Sequence, residues 1–267
     1  MQSARAWLLT VMIDIHSHIL YDVDDGPRTI EESIEMCRLS AQDGVTVMVA
    51  TPHAHDYVHT THDPRDLMLK VNELNSALGG RPRIELGCEL RFTHEVVAHV
   101  CVDKSAPTLA GGPYVLVEFP HLAVPVGAER VFYELLNNGI RPIIAHPERN
   151  RVLMGEPERF FAMVEMGLLG QLDTGSVTGQ FGKTVQRAAA HMLEHGLIHL
   201  MASDCHNTRN RLPGLSSAVT EVSAIIGEEG ARKISTDNPR AVVEGNAIPW
   251  LPEAAPPTKK RKKWLFF

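Results

Sequence analysis

Residues Met12–Pro27 read MIDIHSHILYDVDDGP, and they predict a buried strand that runs into a polar loop. Side chains two residues apart on a strand share a face, so His16 and His18 lie together, opposite Ile13 and Ile15. Neutral imidazole is the commonest nitrogen ligand for first-row metals, so the two histidines can bind one ion together. The loop that follows supplies three carboxylates, at Asp22, Asp24 and Asp25. An isolated pair of this kind is equally compatible with two surface histidines at a strand end. The residues in the rest of the chain distinguish this possibility from a metal site.

Outward from this stretch, short apolar segments alternate with amphipathic helical segments along most of the chain. Val45–Ala50 is one such segment, a continuous apolar run typical of a strand that is buried on both faces. About seven strand–helix alternations predict an α/β fold, in which parallel strands close into a distorted TIM-like barrel surrounded by helices. We expect one domain over residues 1–251, of which residues 1–11 can be an N-terminal extension, and a tail over residues 252–267.

The charge balance and the cysteines restrict the class of protein. The net charge is −6, but five of the 26 basic residues lie together at Lys259–Lys263, so the other 21 face 32 acidic residues and the body carries −11. A body this acidic is a poor nonspecific binder of nucleic acid. The four cysteines form no Cys-x-x-Cys pair and are typical of reduced thiols in a cytoplasmic protein.

The polar candidates recur at one structural position, the carboxyl end of a predicted strand. They are His16, His18, His53, Glu89, Glu118, His146, Asp204 and His206. In a barrel of parallel strands these ends share one face, and active sites are built on that face. So many imidazoles and carboxylates exceed what one ion needs, and they fit a cluster of ions with shared carboxylates.

Six motifs of this sequence resemble those of the PHP (polymerase and histidinol phosphatase) superfamily. They are Asp-x-His-x-His at 14–18, Asp-Asp-Gly-Pro at 24–27, Thr-Pro-His at 51–53, Gly-x-Glu at 87–89, His-Pro-Glu-Arg at 146–149 and Ser-Asp-x-His-Asn at 203–207. Within the superfamily, the Asp25-Gly26-Pro27 loop and Glu118 resemble the CpsB-type tyrosine-protein phosphatases of bacterial capsule and exopolysaccharide operons. The resemblance extends from about Met12 to Gly245.

The resemblance implies three divalent metal ions. Manganese is the family's usual metal, although mixed nitrogen and oxygen ligands also suit iron, zinc or cobalt. The implied ligands are His16, His18, Glu89 and Asp204 for one ion, Glu89, Glu118 and His146 for a second, and Asp25, His53 and His206 for a third. Asp14 would either orient one of the histidines or make a hydrogen bond at the strand end.

Arg149 and Arg211 occupy the family's phosphate-binding positions, with Arg209 as a close rival to Arg211. A guanidinium group matches a phosphoryl group with two parallel hydrogen bonds. The resemblance thus implies a metal-dependent protein-tyrosine phosphatase, in which an activated hydroxide attacks phosphorus in line and no phosphoenzyme forms. The expected partner is a phosphotyrosyl protein, above all a membrane-associated bacterial tyrosine kinase that controls capsule or exopolysaccharide synthesis.

Three other hypotheses are open at this point, of which the first gives the same activity by a different mechanism. Cys205-His-Asn-Thr-Arg-Asn-Arg211 fits the Cys-x5-Arg signature of cysteine-dependent tyrosine phosphatases, but its loop lacks glycine and Cys205 should point away from the flanking ligands. A phosphoesterase of the same superfamily could act instead on a small phosphate monoester such as histidinol phosphate. A metal-binding scaffold without catalytic activity is the third.

The tail combines a proline-rich spacer with the basic run Lys259–Lys263 and the aromatic end Trp264–Phe267. Five basic residues at about 1 kcal/mol each, with an aromatic anchor, would favour contact with an anionic membrane surface. A solvated end without a partner is the alternative. We therefore expect a cytoplasmic protein that can lie peripherally at the inner membrane.

Overall fold

The computed structural model describes residues 11–55 and 61–257. Its strands are β1 (Met12–Ser17), β2 (Val45–Ala50), β3 (His53–Ala54), β4 (Arg83–Leu86), β5 (Glu89–Arg91), β6 (Tyr114–Glu118), β7 (Arg141–Ala145), β8 (Leu169–Asp173) and β9 (Leu200–Ala202). The α-helices are α1 (Ile30–Gln42), α2 (Pro64–Leu78), α3 (Ala128–Asn137), α4 (Arg151–Gly155), α5 (Pro157–Glu165), α6 (Thr174–Val177), α7 (Lys183–Glu194), α8 (Ser216–Arg232) and α9 (Asn238–Val243).

The pairings among the described strands are all parallel. One sheet has the order β1-β2-β4, and the other has the order β3-β5-β6-β7-β8-β9. β1 also meets the segment after β9, because Ser17 pairs with Cys205 in a parallel bridge and the amide of His18 donates to the carbonyl of Cys205 at 2.9 Å. The α/β fold with parallel strands is therefore confirmed.

The number of described strands differs from the prediction of about seven, because one predicted segment divides into two strands and a short extra strand follows another. The apolar pattern of Ile84–Leu90 predicts a single strand, but this segment divides into β4 and β5 at Gly87. A β-carbon at Gly87 would lie 2.7 Å from Leu109 Cδ2 and 3.0 Å from Val49 Cγ1, so only glycine fits this close approach. Similarly, β3 follows β2 after Pro52, which has no N–H to donate to a ladder.

The strands are buried on both faces. Val115 and Val117 of β6 belong to a large apolar cluster that includes residues of α1, α2, α3 and α7. The alternating Tyr114 and Leu116 belong to a second cluster on the other face. This is the burial expected of a parallel sheet covered on both sides, as predicted for Val45–Ala50.

Local signals set the ends of the helices. Thr29 caps α1, and its Oγ1 accepts from the amide of Glu32 at 3.3 Å, as the Thr-x-x-Glu pattern predicts. The pattern of Thr178–His195 predicts one long helix, but α7 is shorter and begins at Lys183. Its expected first turn is interrupted because Gly182 has φ of 88°, which a right-handed helix does not allow.

Several predicted features lie outside the described residues. Only Val11 of the expected N-terminal extension is described, and the basic-aromatic tail from Lys259 is not. The domain boundary after Leu251 stays a prediction. Beyond it, Ala254 still packs against the core, and the amide of Ala255 donates to the carbonyl of His195 at 2.9 Å. Over residues 11–55 and 61–257, no helix combines the length and apolar character needed to cross a membrane.

Candidate metal centre

The candidate ligands predicted from the sequence converge near the carboxyl ends of β1, β6, β7 and β9, although His53 and Glu89 are the first residues of the short strands β3 and β5. His16 lies in β1, His53 in β3, Glu89 in β5 and Glu118 in β6. The others follow a strand end or lie in the loop after β1, and they are His18, Asp25, His146, Asp204 and His206. Apart from Asp25 and His53, whose side chains are 47% and 14% exposed, all are buried. The site therefore gathers many polar groups where little water reaches them.

Two imidazoles and two carboxylates form the first group. Nε2 of His16 lies 3.2 Å from Nε2 of His18. Oδ1 of Asp204 lies 3.3 Å from the former nitrogen and 3.5 Å from the latter. The carboxylate of Glu89 approaches the same two nitrogens at 3.5 Å and 3.3 Å. These four side chains can therefore direct their lone pairs to one point.

Hydrogen bonds behind the two imidazoles decide which ring nitrogens face the site. Nδ1 of His16 lies 2.9 Å from Oε1 of Gln171, and Nδ1 of His18 lies 2.7 Å from Oδ2 of Asp24. The amide nitrogen of Gln171 donates to the carbonyl of Leu172 at 2.8 Å, which settles the orientation of that amide. Because both partner oxygens are acceptors, each Nδ1 donates its proton. In the neutral rings, both Nε2 atoms then carry the lone pair that binds metal.

This arrangement fits a divalent cation. Two lone pairs 3.2 Å apart repel each other unless a positive charge lies near both. Oδ1 of Asp204 is buried and accepts no hydrogen bond from the described residues, which is costly for a charged acceptor. Burial disfavours the charged form of His16, but the carboxylates of Glu89 and Asp204 outweigh it and raise the pKa to about 9. The same negative field would stabilise a bound cation.

The second group expected from the sequence is also assembled. Nε2 of His146 lies 3.0 Å from Oε1 of Glu89 and 3.9 Å from Oε1 of Glu118. His53 also approaches the two carboxylates. The ligand atoms of His53, Glu89 and Glu118 lie within 4.8 Å of one another. Burial and the neighbouring Glu89 raise the pKa of Glu118 to about 7, and Arg91 opposes this shift. Because Arg91 donates to Oε2 of Glu118, the other oxygen is left facing His146.

The third group lies on the more exposed side of the cluster. Oδ1 of Asp25 lies 3.1 Å from Nε2 of His206 and 3.6 Å from Nε2 of His53. His18 completes a set of four residues whose ligand atoms lie within 4.8 Å of one another. Burial and the nearby His18 lower the pKa of His206 to about 4, so this imidazole is neutral at neutral pH. The set expected for the third ion is therefore close together, with His18 as an additional neighbour.

Two of the candidate ligands have a left-handed backbone. The φ angle is 31° at His146 and 50° at Asp204. For a residue with a β-carbon this conformation costs about 1 kcal/mol, and it persists only where the surrounding structure holds it. At Asp204 the backbone amide donates to the carbonyl of His16 at 2.9 Å, which holds the turn next to β1.

Both arginines expected to bind phosphate lie beside the ligand groups. Nη1 of Arg149 lies 2.6 Å from Oδ2 of Asp204 and 2.9 Å from Oδ2 of Asp173. Arg211 donates through Nη2 to the same oxygen of Asp204. Its Nη1 lies 2.8 Å from Nε2 of His206. Two positive charges therefore flank one edge of the cluster, where an anionic substrate could bind.

The rival residues in the segment after β9 occupy other surroundings. Arg209 is exposed, so the place beside Asp204 belongs to Arg211. Cys205 is completely buried in the apolar core, away from the flanking ligands as predicted. Burial raises the pKa of its thiol well above the ordinary value. A nucleophilic thiolate needs a lowered pKa and access to the substrate, so the structure contradicts the cysteine-dependent mechanism.

Asp14 contacts the backbone of His16 rather than its ring. Its Oδ1 accepts from the amides of His16 and Ser203 at 3.3 Å and 3.0 Å, and its Oδ2 accepts from the hydroxyl of Ser203 at 2.5 Å. Of the two roles considered for Asp14, the hydrogen bond at the strand end is therefore the one observed. It joins β1 to the segment after β9.

Sequence reasoning missed Gln171 behind His16, Asp24 behind His18 and Arg91 beside Glu118. It also missed Asp173, which contacts Arg149. Gln171 and Asp173 lie two residues apart in the otherwise apolar β8, which is the same signal that identified the two histidines of β1. Arg91 has no such signal. Its position next to Glu118 results from the pairing of β5 with β6, in which these two residues are opposite each other.

Comparisons with known proteins identify the family of this chain. The profile of a family described as capsular polysaccharide synthesis, CpsB/CapC, matches residues 12–244. The chain is 34% identical over 259 residues to the tyrosine-protein phosphatase YwqE of Bacillus subtilis, and the alignment covers 96% of this chain and 100% of YwqE. It is 31% identical over 244 residues to the tyrosine-protein phosphatase CpsB of Streptococcus pneumoniae, and this alignment covers 89% of this chain and 100% of CpsB.

A similar solved structure comes from work on YwqE of Bacillus subtilis and CpsB of Streptococcus pneumoniae, described as unique metal-dependent tyrosine phosphatases. It matches with a TM-score of 0.88 and 33% identity, over 93% of this chain and 100% of that chain. The resemblance to the CpsB-type branch of the PHP superfamily is therefore confirmed. Because the family profile matches most of its length, this chain belongs to the CpsB/CapC family of capsular polysaccharide synthesis.

Proposed function

We propose that this protein is a metal-dependent protein-tyrosine phosphatase, which hydrolyses phosphotyrosine in protein substrates. The observation that carries the proposal is the contiguous set of three ligand groups with two guanidinium groups at its edge. Its relatives YwqE and CpsB, which this chain matches over their full length, are tyrosine-protein phosphatases. A scaffold that only binds metal would have no need of the two arginines.

Three divalent ions, with manganese as the first choice, would be held by the three ligand groups. The ligands would be His16, His18, Glu89 and Asp204, then Glu89, Glu118 and His146, then Asp25, His53 and His206. Ions bound there would activate water as a nucleophile and neutralise the phosphate charge. Oε1 of Glu89 lies 3.5 Å from Nε2 of His16 and 3.0 Å from Nε2 of His146. This position supports a role for Glu89 as a carboxylate shared between two ions. The absence of thiolates from these groups supports manganese or iron over structural zinc.

Arg149 and Arg211 would hold the phosphoryl group. Each guanidinium group has five N–H donors in one plane, so contact with Asp204 leaves donors for phosphate oxygens. The guanidinium of Arg149 lies over the ring of Phe181, with 4.6 Å between its carbon and the ring centroid, and this holds its plane. As charge develops on the equatorial oxygens in the transition state, the hydrogen bonds from both arginines become stronger.

We also propose that the two sheets act as one closed, distorted TIM-like barrel with about seven strand positions. The chain passes from β2 into β3 and from β4 into β5 with two residues between them, so each pair can fill one position. The bridge between Ser17 and Cys205 supports closure between β1 and β9. A closed barrel would explain why ligands from distant parts of the chain share one face.

The substrate would be a phosphotyrosyl protein, above all a membrane-associated bacterial tyrosine kinase of capsule or exopolysaccharide synthesis. The family's description and the names of the relatives support this choice. A cytoplasmic location at the inner membrane would bring the enzyme to such a kinase, and residues 259–267 supply the basic and aromatic groups for contact. Deletion of residues 259–267 with unchanged binding to anionic liposomes would contradict the membrane contact.

Substrate preference tests the proposed activity. We would measure kcat/KM of the manganese-loaded protein on a phosphotyrosyl peptide, on the phosphoseryl peptide of the same sequence, and on histidinol phosphate. The proposal predicts the highest value for the phosphotyrosyl peptide. A higher value for histidinol phosphate would identify a small-molecule phosphoesterase instead, and no hydrolysis of any of the three would leave only a metal-binding scaffold.

A further inference from the structure

A separate group of potential metal ligands lies at the end of α7. His191, Glu194 and His195 have ligand atoms within 4.8 Å of one another. The carboxyl end of α7 precedes the amino end of β9, whereas the candidate metal centre lies at the carboxyl ends of the strands. This group is therefore at the opposite end of the sheet, and none of its members belongs to the phosphatase site.

Helical spacing places the three side chains on one side of α7. Residues three and four positions apart are neighbours on a helix surface, so His191 lies next to both Glu194 and His195. The rings of His191 and His195 lie with centroids 4.1 Å apart and planes inclined by 56°. Nδ1 of His195 donates to the carbonyl oxygen of His191 at 2.8 Å. Nε2 of His195 then carries the lone pair, in the manner already seen for His16 and His18.

The surroundings favour a bound cation, because the carboxylate of Glu194 lies close to both imidazoles. The carboxyl end of a helix also carries partial negative charge, which stabilises a nearby cation. Both rings are partly exposed and Glu194 is exposed, so an ion can enter from solvent without movement of the core.

We propose that His191, Glu194 and His195 bind one divalent transition-metal ion of the Zn²⁺, Cu²⁺, Ni²⁺ or Co²⁺ class, in addition to the ions of the phosphatase site. Two imidazoles and one carboxylate suit these ions better than Mg²⁺ or Ca²⁺, which prefer oxygen ligands. Water from the exposed side completes the coordination. The ion joins side chains of successive helical turns, and so it stabilises the end of α7.

The end of α7 also contacts the proline-rich spacer at the start of the tail. The amide of Ala255 donates to the carbonyl oxygen of His195 at 2.9 Å. At Gly196, an added β-carbon would lie 2.5 Å from the carbonyl oxygen of Glu253, so the two backbones approach closely here. An ion on His191 and His195 therefore stabilises the turn that residues 253–255 contact, in the proline-rich spacer that precedes the basic run.

The total number of metal ions bound per chain tests this site. Full-length protein loaded with manganese is dialysed against zinc, and bound manganese and zinc are counted together by mass spectrometry of the elements. We expect the wild type to bind one ion more per chain than His191→Gln or His195→Gln. The matched control is His94→Gln, which removes an exposed histidine elsewhere and should bind as many ions as the wild type. Turnover of a phosphotyrosyl peptide should be unchanged in all variants.

Equal totals in the wild type and in both α7 variants would overturn the proposal. A loss in His94→Gln as large as in the α7 variants would also overturn it, because binding would then not depend on this helix. A measurement on the wild type alone does not depend on the folding of a variant. When copper replaces zinc in the dialysis, the copper ion bound beyond those of the phosphatase site should show coupling to two nitrogens in its electron paramagnetic resonance spectrum. A spectrum without nitrogen coupling would contradict the site. The phosphatase ligands are intact in all of these proteins. A wild type that does not hydrolyse the phosphotyrosyl peptide would therefore refute the proposed function, but the count of metal ions would still test the α7 site.

Discussion

Nη1 of Arg149 lies 2.6 Å from Oδ2 of Asp204, while the other oxygen of this carboxylate faces Nε2 of His16 at 3.3 Å. Burial opposes charge on Asp204, but His16 and Arg211 outweigh it and keep the pKa of this carboxyl well below its ordinary value. The ionised carboxylate thus connects the guanidinium groups to the metal ligands. An arginine held in this way is already oriented when a phosphate reaches the ligand groups.

Removal of either arginine should slow the chemical step. Arg149→Ala and Arg211→Ala are each expected to lower kcat on a phosphotyrosyl peptide by roughly 10²–10³-fold, the usual loss for one preorganised donor to transition-state charge. Arg149→Lys should recover only part of the rate, because lysine lacks the planar fork. The exposed Arg209→Ala is the matched control and should keep the wild-type rate. An equal loss in Arg209→Ala would contradict the assignment of Arg211.

Gln171 should control metal affinity without being a ligand. Gln171→Leu removes the acceptor for Nδ1 of His16, so the imidazole loses its fixed tautomer and orientation. Loss of such a partner typically weakens metal binding by about 10–100-fold. Manganese titration of the metal-free protein measures this effect, with Gln42→Leu on the exposed surface of α1 as control. Wild-type affinity in Gln171→Leu would show that the hydrogen bond does not position His16.

Gly26 should be needed for the ion next to Asp25. A β-carbon at Gly26 would lie 2.6 Å from the backbone oxygen of His18, a contact that forces the loop to move. Gly26→Ala should therefore displace the adjacent Asp25 and reduce the number of bound manganese ions. Gly155→Ala is the control, because no heavy atom lies within 4 Å of its added β-carbon. Equal metal content in the two variants would exclude this role for the loop.

His199 should contribute a pH dependence to folding stability. Burial lowers its pKa from 6.5 to about 4, and its Nδ1 accepts from the amide of Gly170 at 3.0 Å. Between these two pKa values the unfolded chain binds a proton that the folded chain does not, so the free energy of unfolding rises with pH. About 3 kcal/mol is present above pH 6.5 and is lost as the pH falls toward 4.

His199→Asn keeps a hydrogen-bond acceptor but removes this titration. Urea unfolding of the metal-free wild type and variant, at pH values above and within the window, should show a weaker pH dependence in the variant. The metal ligands titrate in both proteins and cancel in the comparison. The same slope in wild type and variant would contradict the assigned pKa.

The features that could be predicted from the sequence are those with local signals. His16 and His18 could be identified because they lie two residues apart in an apolar strand. His146 could be identified because it directly follows another apolar strand. The division of Ile84–Leu90 could not be predicted in the same way, because Gly87 is needed for the approach of Leu109, which is distant in the chain. Likewise, Arg91 reaches Glu118 only through the pairing of two strands.

The most direct test of the metal centre combines metal content with peptide turnover. Wild type and Cys205→Ala would each be analysed for bound divalent ions and for hydrolysis of a phosphotyrosyl peptide, before chelation, after chelation and after manganese is restored. We predict about three ions per chain in the phosphatase site, loss of turnover on chelation, recovery with manganese, and the same behaviour in Cys205→Ala. Turnover that survives complete removal of metal, or that disappears in Cys205→Ala with its metal bound, would contradict the account.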